Sequence, residues 1–134
     1  MIAVILGFLA LFVLQTLLPA SFRYLLAGPG TGARLMIALG SRDVQPPLST
    51  AGARAERALS NMYEALPVFM TIALLLVFRG VNDGLAMHGA WIFLVSRIFY
   101  VPAYLAGMFG VRSVIWVVSW VGLVMMIIAL MRVI

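Results

Sequence analysis

Seven residues of this chain have side chains suited to holding or activating a charged small molecule. Arg57, Asn61 and Glu64 stand in one stretch, Arg97, Tyr100 and Tyr104 in a second, and Arg112 just beyond. All lie in or beside long apolar runs. A charged side chain at the centre of a bilayer costs roughly 2.5–3.5 kcal/mol on insertion scales, so each such residue is a functional-site candidate by default. The first triplet is spaced i, i+4, i+7 and the second i, i+3, i+7, so each set projects from one face of a helix.

The elements that position them follow from composition. Of 134 residues, 65% are hydrophobic and 10% charged, which places the chain among integral membrane proteins. Its net charge of +5 comes from nine arginines and no lysine. With no basic stripe interleaved with aromatics, the charge bears on membrane orientation and not on a nucleic-acid partner. The absence of cysteine removes disulfides, thiolate nucleophiles and soft-metal sites together. Met1 to Leu14 is apolar from its first residue, without a basic leader segment or a small-residue cleavage site, and reads as the start of the first span.

Four segments approach the roughly 20 residues a helix needs to cross about 30 Å of hydrocarbon. They run approximately over 2–26, 53–78, 85–108 and 113–131, predicting a single all-α, four-helix transmembrane domain. A loop, 27–52, carries GPGTG, SRD and QPP, whose glycines and prolines break regular structure. Asn82, Asp83 and Gly84 supply turn chemistry between the second and third spans, which makes those helices antiparallel neighbours. The third and fourth are joined as tightly around Gly107 to Gly110.

Arginine counts orient the bundle. Arg23, Arg34, Arg42, Arg54, Arg57 and Arg112 share one side, against Arg79 and Arg132 on the other. The positive-inside rule puts the first group in the cytoplasm and both termini on the non-cytoplasmic side. Depth follows from helix rise: Glu64 lies roughly 22 Å from the level of Arg79, and Arg97 roughly 21 Å from that of Asp83. A hairpin centred between Gly80 and Val81 then sets Glu64 opposite Arg97, Asn61 opposite Tyr100 and Arg57 opposite Tyr104. Pro67 cannot bond the carbonyl of Tyr63 and is expected to kink the helix beside Glu64.

Guanidinium groups match carboxylates, a carboxylate matches an ammonium, and tyrosines offer hydroxyl donors on apolar rings. Such a lining suits a small zwitterion with excess negative charge, of which glutathione is one. An arginine beside a thiol favours thiolate, and Arg112 begins the fourth helix, where the helix dipole adds a further positive contribution. Arg112 is therefore the candidate for activating a bound thiol, with Ser113 an N-cap of that helix or a second donor.

The stretch Arg54-Ala-Glu-Arg57-Ala-Leu-Ser-Asn61-Met-Tyr-Glu64-Ala-Leu-Pro67-Val-Phe69, followed by Arg97-x-x-Tyr100-x-x-x-Tyr104 and Arg112-Ser113, resembles the MAPEG family, the membrane-associated proteins in eicosanoid and glutathione metabolism. The resemblance implies a four-helix subunit assembled as a homotrimer, with glutathione as co-substrate held between neighbouring subunits. It implies that Arg54, Arg57, Asn61, Glu64, Arg97, Tyr100, Tyr104 and Ser113 bind substrate and that Arg112 stabilises the thiolate. The activity implied is a glutathione-dependent transferase or peroxidase acting on lipophilic electrophiles from the bilayer. A branch of the family binds lipid without catalysis; it lacks the paired arginines kept here as Arg54 and Arg57.

Plainer readings stand beside these. Glu64 with Arg97 is either part of a site or an internal ion pair fixing helix register. Arg54, Arg57, Tyr100 and Tyr104 are also residue types that anchor helices at lipid headgroups, and Arg112 in a short loop is explained by topology as well as by chemistry. Asn61 could serve only an interhelical hydrogen bond. A non-catalytic lipid-binding or scaffold protein is the alternative function. His88 has no companion ligand, so no metal is expected. Trp91, Trp116 and Trp120 fit interface or lipid contacts, Met125 and Met126 fit filler, and Asp43 fits a turn. The glycines of GPGTG lack the strand and lysine of a phosphate loop.

Overall fold

A chain in hydrocarbon must satisfy its backbone hydrogen bonds internally, and each apolar run accordingly folds as a helix. The structure, a computed structural model, describes residues 1–26, 30–41, 45–81 and 84–133. Helix α1 spans Ile2–Ala20 and continues into a π-helical segment, Ser21–Leu25. A short helix α2 covers Thr31–Leu39, followed by α3 (Thr50–Phe78), α4 (Gly84–Ala106) and α5 (Val111–Met131). α1 with its π-helical extension, α3, α4 and α5 are each long and apolar enough to cross a membrane. Arg42, Asp43 and the Asn82-Asp83 turn fall outside the described residues, as does Gly28 of GPGTG.

The segment expected as loop contains α2, and α3 begins three residues before the expected start at 53. The early start has a local cause: Ser49 is the N-cap, its Oγ accepting from the Gly52 N–H at 3.1 Å, one of the orphan donors of a helix start. α3 runs without interruption through Pro67. α5 begins at Val111, not 113, because Gly110, at φ +83°, makes the turn into it. Its N-cap is Gly110, so Ser113 lies inside the first turn and does not cap the helix.

The bundle is organised around α3 and α4, which contact each other; α1 and α5 both contact this pair and not each other. Phe8, Phe69 and Phe93 tie α1, α3 and α4 together, with ring centroids 4.6, 5.3 and 4.7 Å apart and the Phe69 and Phe93 rings stacked. α4 and α5 approach closely through glycine. A Cβ on Gly89 would lie 2.6 Å from the Gly122 carbonyl oxygen, and one on Gly122 would lie 2.6 Å from that of Gly89. Small residues allow such backbone contact between membrane helices, where packing has to replace the missing hydrophobic drive.

The end of α4 nearest the first triplet is closed by its own backbone. The Met108 N–H donates to the Ala103 carbonyl at 3.1 Å and Gly107 N–H to the Tyr104 carbonyl at 3.0 Å. Gly107 takes φ +72°, the left-handed conformation in which helices commonly end. Arg54 reaches across from α3 and donates from Nη1 to the Leu105 carbonyl at 3.0 Å. A cation at a helix C-terminus also offsets the negative end of the dipole.

Candidate functional site

α3, α4 and α5 converge beside this closed end on a groove of about 280 Å³. Asn61 lines it from α3, Tyr100 and Tyr104 from α4, and Arg112, Ser113 and Trp116 from α5. Five of the sequence-derived candidates therefore meet in one place. The lining is rich in donors: an amide, two phenols, a guanidinium and a hydroxyl, with no carboxylate among the lining residues.

Arg97 forms the inner support. It is 2% exposed, and its Nη1 donates to Asn61 Oδ1 at 2.5 Å. Its guanidinium carbon lies 5.1 Å from the Phe93 ring centroid and 5.6 Å from that of Tyr100, within cation–π range. Nε of Arg97 is buried and has no hydrogen-bond partner among the described residues. Asn61, its oxygen committed to Arg97, also lines the groove.

This pairing corrects the expected layers. Arg97 engages Asn61, one helical turn from Glu64, and no ion pair joins Arg97 to Glu64 among the described residues. Helix rise fixes the level of a residue but not its direction around the axis. At about 100° per residue, Glu64 and Arg57 lie roughly 60° and 40° around α3 from Asn61. The buried face, carrying Ala58, Met62, Ala65 and Phe69, lies on the other side of Asn61. Arg57 and Glu64 are accordingly exposed on the outer face, and Asn61 sits at the edge where a side chain can turn inward.

Arg112 stands in the first turn of α5 with its guanidinium carbon 4.9 Å from the Tyr104 ring centroid. Tyr104 in turn packs on Tyr100, centroids 5.5 Å apart. The stack fixes the guanidinium at the mouth of the groove while leaving its N–H edges free of intramolecular hydrogen bonds among the described residues. Arg54, by contrast, is spent on the end of α4 and does not line the groove. It positions Tyr104 through the Leu105 carbonyl and the Gly107 turn.

Trp116, a residue type that fits an interface or lipid contact, also lines the groove. The signal was its i+4 spacing from Arg112, which places it one turn deeper on the same face. Trp120 continues the stripe, its ring centroid 5.6 Å from that of Trp116. The groove thus pairs a polar, cationic mouth with the ring of Trp116, which with Trp120 stays exposed on the outer side of α5. His88 lies on the first turns of α4, beside Gly84. Among the described residues, no three acidic or histidine side chains gather as a metal site.

No curated protein and no solved structure matches the chain. The family model of the MAPEG family, however, matches residues 1–132, nearly the whole chain and all four membrane-length helices. On that match, with four membrane-length helices and a polar groove among three of them, this multi-pass integral membrane protein of glutathione and eicosanoid metabolism belongs to the MAPEG family.

Proposed function

We propose that the protein is a glutathione-dependent transferase or peroxidase acting on lipophilic electrophiles. The observation that carries the reading is the groove in which Arg112, Tyr104, Tyr100, Asn61 and Ser113 converge as donors beside the aromatic wall of Trp116. Such a donor set fits a peptide bearing carboxylates and a thiolate, and the apolar wall fits a substrate arriving from lipid.

In this reading Arg112 stabilises the thiolate that forms when the bound thiol loses its proton. It acts as the nearby positive charge at the start of a helix, whose dipole adds to it. Asn61, Tyr100, Tyr104 and Ser113 hold the tripeptide, and Arg97 fixes Asn61 and Tyr100 from behind. Arg57 and Glu64 stand on the exposed face of α3 next to Asn61, suited to the ligand's carboxylate and ammonium. The groove is at the lower edge of the roughly 300–1,000 Å³ usual for small-molecule sites. Together with those exposed charges, its size supports a site completed by a neighbouring copy in a homotrimer. We place the arginine-rich end of the bundle in the cytoplasm, which sets both termini on the opposite side.

Titration of the purified protein with glutathione at neutral pH tests this. A thiolate absorbance in the far ultraviolet is expected, and Arg112→Ala should lower the acid constant of the bound thiol by about ten- to a thousandfold, the reach of one nearby opposite charge, and weaken the signal accordingly. Glu64→Gln and Arg57→Ala should weaken glutathione binding and leave the oligomer intact. No thiolate signal at saturating glutathione would refute the enzyme reading.

A further inference from the structure

A second groove, about 390 Å³, lies between the end of the first span and α2, lined by Leu17, Ser21, Tyr24, Leu25, Leu35 and Ala38 among others. Its walls are almost wholly carbon. One wall is the π-helical segment, where the Leu26 N–H donates to the Ser21 carbonyl at 2.8 Å. That i→i+5 bond replaces the tighter α-helical one just beyond Pro19. The other wall is α2.

α2 is an unusual element for a folded chain. Among the described elements it shares contacts with the π-helical segment alone, and none of its residues is buried. Met36 is 72% exposed and Leu39 78%. Isolated helices shorter than about 12–15 residues are marginal in water, so a nine-residue helix with apolar side chains on this scale requires a nonaqueous neighbour. The groove itself indicates which one. Leu17 and Leu25 belong both to the groove and to the exposed surface of the first span, where Leu14 and Leu26 are also exposed. It is therefore continuous with the exposed apolar surface of a helix long and apolar enough to cross a membrane.

We propose that this groove binds one acyl chain of a phospholipid from the leaflet at the arginine-rich end of the bundle, with α2 lying in the membrane interface as its outer wall. α2 then behaves as an in-plane helix whose apolar side chains enter the headgroup boundary. Tyr24, at the end of the first span and in the groove lining, is of the aromatic type enriched at membrane interfaces. The proposal does not depend on the thiol chemistry of the other groove.

The test uses the full chain in phosphatidylcholine nanodiscs doped with phosphatidylcholine carrying a photoreactive diazirine on its acyl chain, with adducts mapped by peptide mass spectrometry. Adducts are expected within residues 17–25 and 35–38. Ala38→Trp, which fills the groove, should reduce them several-fold while leaving adducts on the lipid-facing side of α5 unchanged. Because the chain has no cysteine, Met36→Cys carries a single fluorophore, which brominated phosphatidylcholine should quench. Adducts on α5 with none in residues 17–38 would overturn the proposal. So would ready disulfide formation between copies at Met36→Cys without quenching, since α2 would then be covered by a second chain.

Discussion

The Arg97–Asn61 contact is the interaction on which the inside of the groove rests, and its strength can be worked out before it is measured. Neutral interhelical hydrogen bonds in membranes average about 0.6 kcal/mol, with a maximum near 1.7. Hydrogen bonds to charged groups in proteins contribute about 1.5–3 kcal/mol. With Arg97 only 2% exposed and Nε already without a partner, water cannot replace the lost acceptor, and the upper range applies. Asn61→Ala should therefore destabilise the protein by about 2 kcal/mol, roughly a thirtyfold change in the unfolding equilibrium. Arg97→Met removes the need for an acceptor and should cost about 1 kcal/mol or less, as replacing a buried charge by an apolar side chain of similar length often does. The double variant should match Arg97→Met within about 0.5 kcal/mol, giving a coupling near 2 kcal/mol. Reversible unfolding in mixed detergent micelles, followed by circular dichroism without glutathione, measures all three. Glu64→Gln is the control; exposed and unbonded to Arg97, it should change stability by less than about 0.5 kcal/mol. If the two single losses simply add, or if Glu64→Gln is the costly change, the pairing described here is wrong.

Three further outcomes are expected from the same unfolding assay. Gly122→Ala puts a Cβ 2.6 Å from the Gly89 carbonyl oxygen and 2.8 Å from the Phe93 nitrogen, and should cost about 1–3 kcal/mol by forcing α4 and α5 apart; unchanged stability would show that the helices are not so close. Gly107→Ala combines φ +72° with a Cβ 2.6 Å from the Arg54 guanidinium carbon. It should cost at least about 1–2 kcal/mol for the left-handed backbone alone, and adding Arg54→Ala should recover only the remainder. Gln15 is 2% exposed and neither its Oε1 nor its Nε2 has a hydrogen-bond partner among the described residues, so Gln15→Leu should stabilise by about 1–3 kcal/mol, and a lower melting temperature would contradict that expectation.

Much of the architecture was legible in the residues because membrane helices obey a coarse rule. A run of about 20 apolar residues has few other fates in a bilayer, and the four membrane-length helices fall close to the stretches that hydropathy marks. The ends were less legible. Ser49 and Gly110 control them through a single hydrogen bond and a single positive φ, neither of which registers in an average over 20 residues. α2 is hidden for a related reason: nine residues between glycines and prolines resemble a loop and are too few to register in a span of about 20.

The residue types of the site and their common end of the bundle follow from the sequence by itself, since spacing sets the face and helix rise sets the depth. It also carries enough of the family's pattern for residues 50–113 to declare the resemblance that the match over 1–132 establishes. What tertiary structure alone decided is the partnering. Depth placed Glu64 level with Arg97, but the rotation of α3 against α4 turns Glu64 outward and hands Arg97 to Asn61. That same packing draws Arg54 away to the end of α4 and brings Trp116 of α5 into the groove. Rotation of one helix about its axis is set by which side chains interdigitate with its neighbours: the stack of Phe69 on Phe93 holds α3 against α4, and the close contact of Gly89 with Gly122 holds α4 against α5. Those are contacts between residues far apart in the chain, so no local pattern could have announced them.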